Sequence, residues 1–188
     1  SGARRSHIYV QRPGYDAPRR VHRHRGLTFH PKWSPDASMI AFDGRGIFVM
    51  DADGSHVEQV VEVEGWRRPC FTWAPGDRQL TYYKPKALYA GDLWTLDVDN
   101  PGVQEVVTRG HEVYSSAAWS PDRTRLAYTT GNGAGSLYVM DADGRNVTPV
   151  RGGASAKDPA WSPDGKRLAF RSSQGMKSNI FVAELGAG

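Results

Sequence analysis

Apolar and polar residues alternate along this chain in short runs, and the runs return in the same order. Ile40/Phe42, Leu80/Tyr82, Leu126/Tyr128 and Leu168/Phe170 each lie seven and nine residues after a tryptophan. Alternation with period two at a fixed offset predicts a β-strand with one buried face. A further strand is predicted at Ile47-Phe48-Val49-Met50, Leu93-Trp94-Thr95-Leu96, Leu137-Tyr138-Val139-Met140 and Ile180-Phe181-Val182-Ala183. Tight turns follow at Asp51-Ala52-Asp53-Gly54 and Asp141-Ala142-Asp143-Gly144, where Gly accepts a positive φ. Another strand is predicted over 58–63, 104–108 and 146–150. Small or apolar residues before the tryptophans, such as Ser116-Ala117-Ala118 and Pro159-Ala160, predict a first strand packed where space is short.

The tryptophans set the period. Trp33, Trp73, Trp119 and Trp161 are 40, 46 and 42 residues apart, and three of them open the string Trp-Ser-Pro-Asp. Such a period suits one four-stranded propeller blade, about 40–45 residues. Four copies at one period argue for architectural roles. The tryptophans should pack between blades, Pro35, Pro75, Pro121 and Pro163 should set φ, and Asp36, Asp122 and Asp164 should cap the turns. Trp-Ser-Pro-Asp-Gly-Lys-Arg-Leu-Ala-Phe (161–170) and Leu-Tyr-Val-Met-Asp-Ala-Asp-Gly (137–144) resemble the TolB-like, WD-repeat-like β-propeller module over roughly residues 26–185. Repeat two departs, with Ala74-Pro75-Gly76-Asp77, which puts its turn geometry in question. The implied fold is all-β, with blades at about 26–64, 65–109, 110–151 and 152–185 in a single domain.

Residues 1–25 read as the remnant of a preceding or closing blade, with Ile8-Tyr9-Val10 as a third strand and 21–25 as an outer one. The count is 17 strands. Either 21–25 pairs with 180–184 and zips a ring, or the chain is a segment of a larger propeller whose open blade edges invite self-association or are covered by other sequence.

Charge is concentrated at one end. Residues 1–32 hold eight Lys/Arg against Asp16, a net charge of +7, and the remaining 156 residues carry −3. No stretch approaches the run of about 20 apolar residues that spans a bilayer, so membrane insertion is not expected. Cys70 is the only cysteine, which excludes an intrachain disulfide.

Catalytic signals are lacking. There is no Gly-x-Ser-x-Gly elbow, and Gly131-Asn132-Gly133-Ala134-Gly135 joins two strands without a helix to hold phosphate. The Asp-Ala-Asp-Gly turns lack the third oxygen ligand and the later bidentate acid of an EF-hand loop. His22 and His24 share a strand face near His30, but the expected reading is a solvated basic edge; no metal or cofactor is expected. Cys70 should be a small buried residue of a first strand. Asn146-Val147-Thr148 matches a glycosylation sequon, with Pro149 after it.

Loops vary where strands hold register. From Trp to third strand the repeats measure 14, 20, 18 and 19 residues, and insertions on one face mark the binding face of a repeat protein. Candidate binding residues on that face are Trp66, Arg67, Arg68, Lys84, Lys86, Tyr89, Tyr114, Lys157 and Asp158; aromatic and Arg side chains are typical interface anchors. The leading expectation is a non-catalytic module that binds a protein or peptide. The resemblance implies two further things: a role in the bacterial envelope, periplasmic or secreted, or an accessory propeller gating a prolyl-oligopeptidase-like serine hydrolase. A third reading is polyanion binding through the basic N-terminal segment, although no recognised nucleic-acid motif places nucleic acid among the expected partners.

Overall fold

The computed structural model describes residues 5–14, 17–63, 70–76, 78–86, 91–108, 113–130, 135–174 and 177–186, with backbone alone for 113–115 and 174. Among these residues every regular element is a β-strand, and there are 17. They fall into two compact units, Ser1–Pro69 and Cys70–Gly188. The first unit holds β1 (Arg5–Val10), β2 (Arg19–Arg25), β3 (Phe29–Trp33), β4 (Met39–Asp43), β5 (Gly46–Asp51) and β6 (Glu58–Glu62). β3 to β6 form an antiparallel meander in chain order, and β1 pairs with β2.

The second unit holds three meanders. They are β7 (Phe71–Trp73), β8 (Gln79–Pro85), β9 (Gly91–Asp97) and β10 (Asn100–Val106); then β11 (Val113–Trp119), β12 (Arg125–Thr130), β13 (Ser136–Asp141) and β14 (Thr148–Ala154); then β15 (Ala156–Trp161), β16 (Arg167–Gln174) and β17 (Lys177–Glu184). The stretches 21–25 and 180–184, one of whose expected arrangements was mutual pairing, lie in separate sheets. β2 is bonded to β1 and β17 to β16. The short 11–18 connection makes the local hairpin the cheaper closure. Two outer strands also differ in extent from expectation. β10 begins at Asn100 and β14 runs on to Ala154, each with an irregular register against its neighbour.

The second strands β4, β8 and β12 are buried on both faces, and β16 on one. Ile40, Phe42, Leu80, Tyr82, Leu126, Tyr128, Leu168 and Phe170 are buried on one face, and Ala41, Thr81 and Ala127 on the other. Within the second unit, large side chains of one sheet press on the sheet before it. Leu168 and Phe170 pack with Ala127, Leu137 and Val139, and Leu126 and Tyr128 pack with Tyr83 and Leu93. Across each sheet an aromatic of the second strand faces one of the third: Phe42 on Phe48, Tyr82 on Trp94, Tyr128 on Tyr138, Phe170 on Phe181. Three of these pairs stack at centroid distances of 5.4, 5.9 and 6.0 Å, a geometry worth about 0.5–1.5 kcal/mol beyond burial.

The tryptophans join sheets within the second unit. Trp119 Nε1 donates to Thr81 Oγ1 at 2.8 Å, and Trp161 Nε1 donates to the Ala118 carbonyl at 2.8 Å. Arg125 lies 4.9 Å over the Trp161 ring and donates to the Gly165 carbonyl. In the turns, Ser34, Ser120 and Ser162 donate to Asp36, Asp122 and Asp164 and accept from the backbone five residues on. These bonds, led by the serine hydroxyl, hold the Asp36 and Asp122 carboxyls down at about 2. Repeat two keeps the five-residue span, Ala74 N to the Gln79 carbonyl, without the hydroxyl. Its left-handed residue, Gly76, sits one place earlier than Ala37, Arg123 and Gly165.

The histidine expectation needs correction. His22 and His24 are half-buried, with rings 5.3 Å from Phe42 and 4.9 Å from Phe48. Ile8, Val10 and Val21 of the same hairpin pack on Ile40, Phe42 and Met50. A bulge between Ile8 and Tyr9 turns this set inward together. Desolvation lowers both imidazole pKa values, and His24 lowers that of His22 further.

Two outcomes are expected. Leu126→Ala, which opens a cavity between two sheets, costs about 2–5 kcal/mol, whereas Val182→Ala at a 63 % exposed position stays within about 0.5 kcal/mol. Urea denaturation reads both, and equal losses would refute the packing assignment. The depressed histidines bind fewer protons folded than unfolded. Their contribution is therefore complete above pH 6.5 and declines as pH drops below it. Melting temperature against pH should show this decline, and His24→Gln should flatten it.

Candidate functional site

The first strands are irregular at one recurring place. Register shifts fall between Phe29 and Lys32, between Val113 and Ala117, and between Lys157 and Ala160. Within these bulges lies the residue three before the tryptophan: His30, Ser116 and Asp158, with Cys70 the equivalent in repeat two. His30 and Asp158 hold left-handed φ values of 48° and 54°. Neither is glycine, so the conformation is strained by about 1–2 kcal/mol. Bulges re-aim a side chain, and they gather near functional sites.

Each of these residues meets the one ten after the tryptophan. His30 Nδ1 lies 3.3 Å from Oδ2 of the buried Asp43. Ser116 Oγ lies 3.3 Å from Thr129 Oγ1. Arg171 Nη2 donates to Asp158 Oδ2 at 3.3 Å. Tyr83 N donates to the Cys70 carbonyl at 2.9 Å. One position pair in a repeated frame thus carries three different side-chain contacts and, in repeat two, a backbone bond. Such variation inside an invariant scaffold is what a recognition surface requires.

In the second unit these pairs are connected. The first strands β7, β11 and β15 are neighbours, and Asp158 N donates to Ser116 Oγ at 3.1 Å. Thr129, Ser116, Asp158 and Arg171 form one polar chain across two sheets. Its outer end is open, with side chains 69 % exposed at Asp158 and 46 % at Arg171. Lys157 is half-buried beside it. At its open end the chain offers a carboxylate and a guanidinium, with the Ser116 hydroxyl half-buried behind them and Thr129 buried.

The other expected binding residues are placed differently. Lys84 lies 4.6 Å over the Trp94 ring, and Lys86 pairs with buried Asp92, which also accepts from Thr108 Oγ1. Both lysines serve their own sheet. Trp66, Arg67, Arg68 and Tyr89 lie outside the described residues, as does the side chain of Tyr114 in β11. Cys70 is half-buried against the cluster of Tyr83, Leu126 and Tyr128.

The Asp-Ala-Asp-Gly turns use their carboxylates internally. Asp51 Oδ2 meets His56 Nδ1 at 2.6 Å, and Asp141 Oδ2 accepts from Asn146 Nδ2 at 2.6 Å. Asp53 and Asp143 accept from the backbone of Ser55 and Arg145. The His56 bond lowers the Asp51 pKa and raises that of His56. Among the described residues no three His, Cys, Asp or Glu side chains are grouped to hold a metal ion. The sequence points to Asp158 and to the loop that starts at Arg171, but not to Ser116 or Thr129 or to the contact that joins the four. The signal was there: positions −3 and +10 are where the repeat fails to repeat.

No curated protein sequence matches the chain. TolB from Acinetobacter baumannii is similar in structure, with TM-score 0.76 and 18 % identity over 95 % of this chain and 46 % of that one. A putative TolB from Agrobacterium tumefaciens has TM-score 0.71 and 20 % identity over 92 % and 66 %. An oligogalacturonate lyase in complex with manganese has TM-score 0.70 and 17 % identity over 90 % and 51 %. The chain therefore spans less than two thirds of each of these structures, and at such identities the likeness is one of fold. A family model for the TolB beta propeller domain matches residues 45–188, more than half of the chain, and together with the Trp-anchored four-stranded repeat this makes the chain a member of the TolB β-propeller domain family.

Proposed function

We propose that this chain is a non-catalytic binding module that takes up a protein or peptide segment at the bulged end of β11, β12, β15 and β16. The observation that carries the reading is the polar chain Thr129–Ser116–Asp158–Arg171, open at its outer end and held partly by strained backbone. The half-buried Ser116 hydroxyl can match a peptide N–H or C=O group, and its contact with the buried Thr129 hydroxyl positions it. The Asp158–Arg171 pair, being exposed, contributes little to stability and is free to exchange partners. Arg171 would then meet a carboxylate of the ligand with a two-pronged contact.

Catalysis is not what this arrangement favours. Ser116 bonds a hydroxyl and a backbone amide, and Cys70 is packed among aromatics. Neither of the two bonds of Ser116 is to an imidazole that could activate it. The fold itself is neutral on this point, since one fold hosts many functions.

Two measurements test the proposal. Peptides selected from a random displayed library on the purified chain should bind with micromolar Kd by calorimetry. Arg171→Ala should weaken them about tenfold, the range of one charged hydrogen bond. Selected peptides that bind Arg171→Ala and Thr129→Ala as tightly as the parent would place the site elsewhere. Asp158→Gly should separate stability from function. Glycine accepts the left-handed φ of 54°, so the melting temperature should hold or rise while peptide binding is lost. A clear drop in stability would make Asp158 a structural residue.

A further inference from the structure

The β1–β2 hairpin has two faces with opposite chemistry. Its inner face carries Ile8, Val10, Val21, His22 and His24 against the β3–β6 sheet. Its outer face is built from three cross-strand pairs, Arg5 with Arg25, His7 with Arg23 and Tyr9 with Arg20. All six are exposed, Tyr9 by 55 %. Among the described residues no carboxylate pairs with any of these four guanidiniums. Like charges directly opposite on neighbouring strands destabilise a hairpin, and Arg5 faces Arg25. The face is complementary to a chain of negative charge, which would remove that repulsion.

The residue types narrow the partner. The first 25 residues contain seven Arg and no Lys. Arginine presents a planar fork that binds phosphate through two parallel hydrogen bonds and stacks on π-systems, whereas lysine offers a point charge. Tyr9 and His7 add two exposed rings, with centroids 6.3 Å apart and planes tilted by 57°. Exposed rings among arginines suit unstacked bases, since every base has a π-face. A duplex keeps those π-faces stacked inside, a sulfated polysaccharide has none, and a lipid surface rewards apolar insertion that this face lacks apart from Tyr9.

We infer that the outer face of the β1–β2 hairpin is a binding surface for single-stranded nucleic acid, with Arg5, Arg20, Arg23 and Arg25 on phosphates and Tyr9 and His7 against bases. From sequence the basic N-terminal segment is a candidate for polyanion binding; the hairpin register adds that four arginines and two rings share one side.

Fluorescence anisotropy of the whole chain with labelled oligo-dT of about 12 nucleotides tests it. Binding should weaken with salt, with a log–log slope near about −3 for four contacts to a single strand. Arg23→Glu/Arg25→Glu should abolish binding at 100 mM salt, and both side chains are exposed, so an unchanged melting temperature separates this from misfolding. Tyr9→Ala should cost about tenfold, the scale of one stacked base, and leave the salt slope unchanged. Arg171→Ala should have no effect, which keeps this surface distinct from the peptide site. Absence of oligo-dT binding at 50 mM salt would overturn the inference. So would heparin or phosphatidylserine vesicles binding more tightly than oligo-dT with Tyr9→Ala indifferent, since the face would then read charge alone.

Discussion

The contact on which the second unit depends is the insertion of one Leu-x-aromatic pair into the face of the preceding sheet. Leu126/Tyr128 and Leu168/Phe170 make that insertion in the second unit. Each large side chain withdraws enough apolar surface to contribute about 1.5–3 kcal/mol. The preceding sheet must then present small residues at its centre, and Ala127 and Thr81 are buried where a larger side chain would not fit. A single strand thus meets two demands at once, large on one face and small on the other. In the first unit the same logic operates with a hairpin in place of a sheet. Ile8, Val10 and Val21 cover Ile40 and Phe42, and the imidazoles of His22 and His24 fill the rest of the face.

Non-directional burial alone would let sheets slide over one another. The tryptophans prevent this in the second unit. The indole N–H of Trp119 reaches Thr81, and that of Trp161 reaches the Ala118 carbonyl, so the last two sheets are each pinned to the one before by one directional bond. Arg125 on the Trp161 ring, with its bond to Gly165, ties the turn of one repeat to the second strand of another. The repeated tryptophan is therefore a register device as well as apolar filling.

This division of labour explains what the sequence made legible. Residues that face the neighbouring sheet recur at fixed offsets, so Leu126, Tyr128, Leu168 and Phe170 could be read as strands and as core. The Ser-Pro-Asp turns could be read because three successive residues each have one task. What stayed hidden depended on register. His22 and His24 looked like a solvated basic edge, because nothing in their spacing revealed the bulge at Ile8/Tyr9 that turns them onto Phe42 and Phe48. The polar chain stayed hidden for a related reason. Ser116 and Asp158 are 42 residues apart and meet only through a backbone amide across two first strands. Lys84 and Lys86 were read as loop cations free for a ligand, yet each finds a partner in its own sheet, the Trp94 ring and the Asp92 carboxylate.

The same division explains where function can reside. Positions that make the inter-sheet contact cannot vary without a cavity or a clash, because a close-packed interior does not absorb a changed volume. Positions three before and ten after each tryptophan lie beyond that contact, at the end of the sheet where the first strand bulges. There the chain holds His–Asp, Cys–Tyr, Ser–Thr and Asp–Arg in turn, and accepts left-handed backbone at His30 and Asp158. Strain of this kind persists only when the surrounding structure over-determines it. In the second unit the inserted pairs and the pinned Trp119 and Trp161 supply that surplus, whereas Trp33 of the first unit, expected to pack between blades, is 46 % exposed. A fold that is redundant at its interior can carry four unlike residue pairs at one edge position without losing its register, and so leaves that position free to vary while the fold is kept.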